Sequence, residues 1–176
     1  MTSRIARIAF FSSSAVLLSA FVANSGSRPA AKTQPHTDPS GRHCAHVGGS
    51  LITNFGAVDA NTTLGPATGD LRGAVAATLL TPPQPGPHGT VIFNIQHHWV
   101  TDSGDNIQID PAVAVSVPLS ATRFAITSYP THISGGTGKF AGATGNLEAL
   151  GEADLQAGTA LRYSGEVCFA DADDRQ

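Results

Sequence analysis

Charge is scarce in this sequence: 13% of its 176 residues are Asp, Glu, Lys or Arg, about half the share usual in globular domains. Beyond the first few residues no Lys/Arg cluster occurs. A nucleic-acid partner needs a basic face to displace phosphate counterions, so none is expected. Acidic phospholipid surfaces are disfavoured on the same ground. No helical period runs through the chain after His43; apolar residues alternate instead. A serine-hydrolase elbow is missing, because Gly48-Gly49-Ser50-Leu51-Ile52 lacks the closing glycine. The Walker phosphate loop is missing too: its first glycine position is Ile133, and its Ser/Thr position after Lys139 is Phe140. A dinucleotide reading of Gly136-x-Gly138, with Ala141 in the third glycine slot, needs a following helix. The residues from Leu147 to Leu155 alternate at strand period instead. No cofactor is expected.

The N-terminus carries Arg4 and Arg7, then a largely apolar run from Ile8 to Ala23. That is the pattern of a secretory signal, and a run of roughly 16 residues is short for a membrane span. No cysteine follows it to carry a lipid anchor. Residues 1–25 are read as a signal peptide, residues 26–42 as a polar, proline-bearing, disordered linker, and 43–170 as one folded domain. Residues 171–176 form a flexible acidic tail. The expected location is secreted or periplasmic, with no stable membrane span after processing. Removing the signal leaves eight basic against thirteen acidic residues, a formal charge of −5. Asn61-Thr62-Thr63 is an N-glycosylation sequon read as lying in a turn-rich loop.

Two cysteines remain, Cys44 and Cys168, near the two ends of the domain. Export permits a disulfide and the even count favours one; free buried thiols are the alternative. Closing so long a loop would stabilise the fold by up to roughly 4–5 kcal/mol in the chain-entropy model.

The domain is organised around Ile133 to Gly145. Gly135, Gly136, Gly138, Gly142 and Gly145 surround Phe140, which reads as two tight turns flanking a short extended piece, with Phe140 turned into a core. Strands are expected over Cys44–Phe55, Asp70–Leu80, Thr90–Thr101, Asn106–Val117, Thr122–Ile133, Asn146–Gln156 and Thr159–Phe169. The proline-rich stretch Thr81–Gly89 has too few N–H donors for a sheet. In the fourth strand Ile107, Ile109, Val113, Val115 and Val117 share a face, with Pro111 marking a bulge or edge. Seven or eight strands without helices argue for an all-β antiparallel meander that closes on itself. Closure would set the first and last strands side by side and bring Cys44 to Cys168.

The run GGTGKFAGATG (Gly135–Gly145), the hairpin Val91–Ile109 with its Ser-Gly-Asp turn, and the glycine-punctuated last two strands resemble the allene oxide cyclase and dirigent-type β-barrels. The resemblance implies a closed up-and-down barrel of about eight strands. Its members hold lipid-derived epoxides or phenolic intermediates in the barrel cavity and form trimers. None of their catalytic residues is carried over to a position here. The expectation is an exported β-barrel that binds a small apolar or aromatic molecule. The alternatives are a cofactor-free cyclase or isomerase working in the same cavity, and a structural surface module.

Candidate binding residues are Phe93, His97 and Trp99, which share one face of the third strand, and Tyr163. His98 points the other way, so the two histidines cannot serve one metal together. His43 and His46 are split between faces by a spacing of three, and no metal site is expected. Asp102 and Asp105 are read as a hairpin turn rather than a calcium loop. Arg72, Arg123, Arg162, Glu148, Glu152 and Glu166 are the scarce charges on strands. Ile92 and Val100, opposite Val91 and Trp99, give the third strand apolar residues on both faces, which points to a homo-oligomer, a trimer by preference.

Overall fold

The computed structural model describes residues 36–38 and 41–170; the expected signal peptide, most of the expected linker and the expected acidic tail lie outside the described residues. The strands are β1 (His36–Thr37), β2 (His43–Asp59), β3 (Thr62–Gly69), β4 (Gly73–Leu79), β5 (Gln84–Pro85), β6 (Val91–Thr101), β7 (Asn106–Ile109), β8 (Ala112–Pro118), β9 (Arg123–Ser128), β10 (Pro130–Gly136), β11 (Thr144–Asp154) and β12 (Gly158–Phe169). Every pairing is antiparallel. The described chain is all-β, with 3-10 turns at Pro87–Gly89 and Gly138–Phe140. Among the described residues no helix is long and apolar enough to cross a membrane.

The pairings run round a ring of eight strands, β2-β3-β4-β6-β8-β9-β11-β12, and β12 returns to β2 from Gly158↔Asn54 to Phe169↔His43. Cys44 and Cys168 stand opposite each other on that seam, with their sulfurs 2.02 Å apart. Such a pair points to an oxidising compartment. Strand alternation sends one side chain in two to the interior. That set includes Leu51, Val75, Phe93, Trp99, Ile133, Leu147, Leu161 and Val167, all buried.

Two expected long strands are each broken in two. Between Ile109 and Ala112 the chain passes through Asp110 and Pro111, and the odd spacing reverses the phase. Ala112, Ala114 and Ser116 are therefore buried, while Val113 and Val117 are 45% and 44% exposed. The expected common face of Ile107, Ile109, Val113, Val115 and Val117 is corrected accordingly. The second break falls at Tyr129, before Pro130: Phe124 and Ile126 face in, and Tyr129 takes up the inward phase again. Proline cannot donate to a ladder, so each break removes the bond that would have kept the phase.

Each break lets a long strand change partner. β6 pairs with β8 along Val91–Ile95 and with β7 at Trp99 and Val100. β11 pairs with β10 along Gly145–Glu148 and with β9 along Gly151–Asp154. Polar side chains patch the gaps between. Gln96 Nε2 donates to the Ile109 carbonyl at 3.0 Å, and Tyr129 N donates to Glu148 Oε1 at 2.7 Å.

β3 contradicts the expected loop around the sequon. Thr62 and Thr63 open a strand and are buried, leaving Asn61 exposed at the turn before it. Order also begins before His43, since His36 and Thr37 pair with Cys44 and His43. The glycine corner places Phe140 at 0% exposure, but the piece between its turns is a 3-10 turn, Gly138–Phe140, and not extended. Gly138 and Gly142 have φ of +54° and +68°, the left-handed region that side chains with a Cβ resist. Lys139 reaches over the Phe140 ring, 5.0 Å from its centroid.

Candidate functional site

Inside the ring lies an apolar cavity of about 60 Å³, walled by Leu51, Phe93, Ile126, Ala153 and Leu161 among others. Phe93 in its wall meets Phe124 edge-on, with ring centroids 5.2 Å apart. Half-buried Phe55, Leu79 and Leu155 stand at one side of it. The same three residues line an outer hollow of about 330 Å³ beside Thr81–Pro83. These three apolar side chains thus belong to the walls of both spaces.

Polar groups in the cavity wall are few and paired. The break at Tyr129 turns its ring inward to His97 of β6, and Tyr129 Oη shares a 2.6 Å hydrogen bond with His97 Nε2. Across the wall, Thr53 Oγ1 and Thr159 Oγ1 are 2.7 Å apart. Burial, with a smaller contribution from neighbouring His98, pushes the His97 imidazole down to about 4, so it is neutral at pH 7. Burial likewise raises the Tyr129 phenol and keeps its proton on. His97 Nδ1 is buried and has no hydrogen-bond partner among the described residues. The arrangement is a neutral imidazole–phenol pair in an apolar chamber, able to hold one polar atom of a ligand or to pass it a proton. One imidazole and one phenol are too small a donor set for a metal.

Of the four residues singled out from the sequence, Phe93 and His97 line the cavity; Trp99 and Tyr163 do not. Those two rings meet at 5.4 Å and 90°, and their polar ends are committed to the β3–β4 turn. Trp99 Nε1 donates to the Leu71 carbonyl at 2.9 Å. Tyr163 Oη accepts from Leu71 N at 3.0 Å and donates to the Thr68 carbonyl at 2.9 Å. They brace the fold. Tyr129 was not among the sequence candidates, although Pro130 after it carries the same strand-breaking signal that Pro111 does.

The strand charges face outward. Arg123 clamps Glu152 Oε1 through Nε at 2.9 Å and Nη2 at 2.6 Å, and this hydrogen bond raises the guanidinium pKa further. Arg72 reaches Asp102 at 3.3 Å, and Arg162 is exposed. Asp105 accepts from Ser103 Oγ at 3.0 Å within the hairpin turn. Neither family models, curated proteins nor solved structures gave a match to this chain.

Proposed function

We propose that the eight-strand ring is a closed barrel of the allene oxide cyclase and dirigent kind, exported, and that it binds one small apolar or aromatic molecule. The ligand enters from the hollow beside Thr81–Pro83, displaces Phe55, Leu79 and Leu155, and places one polar atom at the His97–Tyr129 pair. One observation carries the reading: an apolar cavity whose wall holds a buried imidazole with an unpartnered nitrogen. Leaving such an atom unpaired costs about 1–3 kcal/mol, which a ligand hydrogen bond recovers. Size sets the mode. A dry cavity that takes benzene is roughly 150 Å³, so the 60 Å³ here accepts a chain end or ring only when the three side chains swing outward. The rest of the ligand then lies in the outer hollow. Subunits associate as homo-trimers in this reading, through the outer face of β6 and β8.

The test uses an apolar fluorescent probe such as N-phenyl-1-naphthylamine. Saturable binding by the native protein is expected, with loss in a Leu79→Trp variant that closes the entrance but melts normally. Binding unchanged by Leu79→Trp, or no binding at all, rejects the proposal.

A second reading, a cofactor-free cyclase or isomerase, draws on the same two inward polar groups, which sit on one wall with a short hydrogen bond. There the pair would donate a proton to, or hold, a developing oxyanion on an epoxide or enone. Tyr129→Phe separates the two. Under the enzyme reading it abolishes turnover of an unsaturated epoxide and spares probe binding. Under binding alone, the native protein returns the epoxide unchanged.

A further inference from the structure

We propose that His36, His46 and Glu166 form a binding site for a divalent transition-metal ion, zinc by preference, on the outer face where β1, β2 and β12 lie side by side. The site is independent of the cavity. Strand register builds it. His36 stands opposite Cys44, Cys44 opposite Cys168, and His46 opposite Glu166. Residues two apart on a strand share a face, so Cys44 with His46, and Glu166 with Cys168, point to the same side. The disulfide at this spot holds β2 to β12 and keeps His46 and Glu166 in register before any ion arrives. The sequence pairing of His43 with His46 failed on spacing; the partner is His36, brought in by a strand of two residues.

The geometry suits the ion. Glu166 Oε2 lies 3.3 Å from His36 Nε2 and 3.7 Å from His46 Nε2. All three ligand atoms lie within 4.8 Å of one another. Zinc bonds of about 2.0–2.1 Å in a tetrahedron set neighbouring ligand atoms roughly 3.3 Å apart. Two spacings are therefore near their final values. The two imidazoles, whose side chains are 49% and 55% exposed, have room to rotate and close the third. Two imidazoles and one carboxylate are the donor set of zinc sites that keep a water in the fourth position, and they serve copper and nickel as well. Calcium and magnesium want oxygen ligands and are excluded. Without an ion, the cluster is a pair of part-exposed imidazole–carboxylate contacts, of a kind that contributes little to stability. With one, the segment before the domain is clipped to the strand that closes the ring.

The test is calorimetric titration of the purified protein, free of any polyhistidine tag, with zinc chloride, repeated with cobalt to read its tetrahedral absorption bands. One ion per chain is expected. His36→Ala, His46→Ala and Glu166→Gln should each weaken binding by roughly tenfold or more, while His88→Ala and His98→Ala, exposed histidines elsewhere, should leave it unchanged. All five positions are at the surface or part-exposed, and melting curves verify that each variant is folded. Native protein that binds zinc no tighter than roughly 100 µM, or equal loss from His98→Ala, overturns the proposal. Calcium binding at the same residues would overturn it too.

Discussion

At the scale of single residues, His97 gives the clearest pH dependence. In the unfolded chain its imidazole takes a proton at 6.5; in the fold it does so only near 4. Between those values the unfolded state binds more protons, so stability falls as pH drops through the window, by roughly 3 kcal/mol in all. Urea midpoints from pH 7 to pH 4.5 should show that loss, and His97→Gln should remove most of it. Parallel curves for the two proteins would mean that the imidazole is not buried as described. Burial of His97 was readable from strand alternation with Phe93 and Trp99. Its partner was not, because Tyr129 faces inward only once Pro130 has reset the phase. The apolar face of Trp99 was also visible, while the facing of Tyr163 was not; that their polar ends serve Leu71 and Thr68 depends on a β3–β4 turn which alternation cannot locate.

At the scale of elements, the two breaks and the glycine corner carry the predictions. Gln96→Ala and Glu148→Ala each strip a side-chain bond from a gap in the ladder. Each should cost about 1–2 kcal/mol in denaturant titration, more than an ordinary surface change; a loss within error at both sites would show that water patches the gaps as well. In the corner, Gly142→Val forces a branched side chain to φ +68° and should cost roughly 1–3 kcal/mol. Lys139→Ala gives up only an exposed cation–ring contact, about 0.5 kcal/mol. If the lysine change proved the costlier of the two, the corner would be more than a turn. Strand positions were legible wherever alternation was clean, as along β6, β11 and β12. β3 was hidden because Gly65 and Pro66 look like a loop. Gly65 is there because a Cβ would come within 2.1 Å of the Ile52 carbonyl oxygen, so a close strand approach was mistaken for a turn.

At the scale of the whole molecule, the disulfide closes a loop with a sequence separation of 124. Cys44→Ser with Cys168→Ser should lower stability by up to roughly 5 kcal/mol. Since the β2–β12 ladder persists beyond the bond, the double variant should still fold at low temperature; failure to fold there would mean that the ladder cannot hold without the link. Assembly belongs to this scale too. Ile92 lies opposite Val115 on the outer face, with exposed Val113 and Val117 beside them, an apolar patch of the kind that marks interfaces. Light scattering should give a trimer mass, and Val113→Glu with Val117→Glu should reduce it to a monomer; a native protein already monomeric at micromolar concentration counts against the trimer.

The return of β12 to β2 also bears on how the chain is made. β12 pairs with the preceding β11 on one side, but on the other the β2 partner of each residue from Gly158 to Phe169 was synthesised more than a hundred residues earlier, from Gly158↔Asn54 to Phe169↔His43. No fragment that stops short of β12 can complete the ring, so the emerging chain has no closed ring until that strand has been made. The Cys44–Cys168 bond is bound to the same order of events, because Cys168 lies in β12 and meets its partner only when that strand is made.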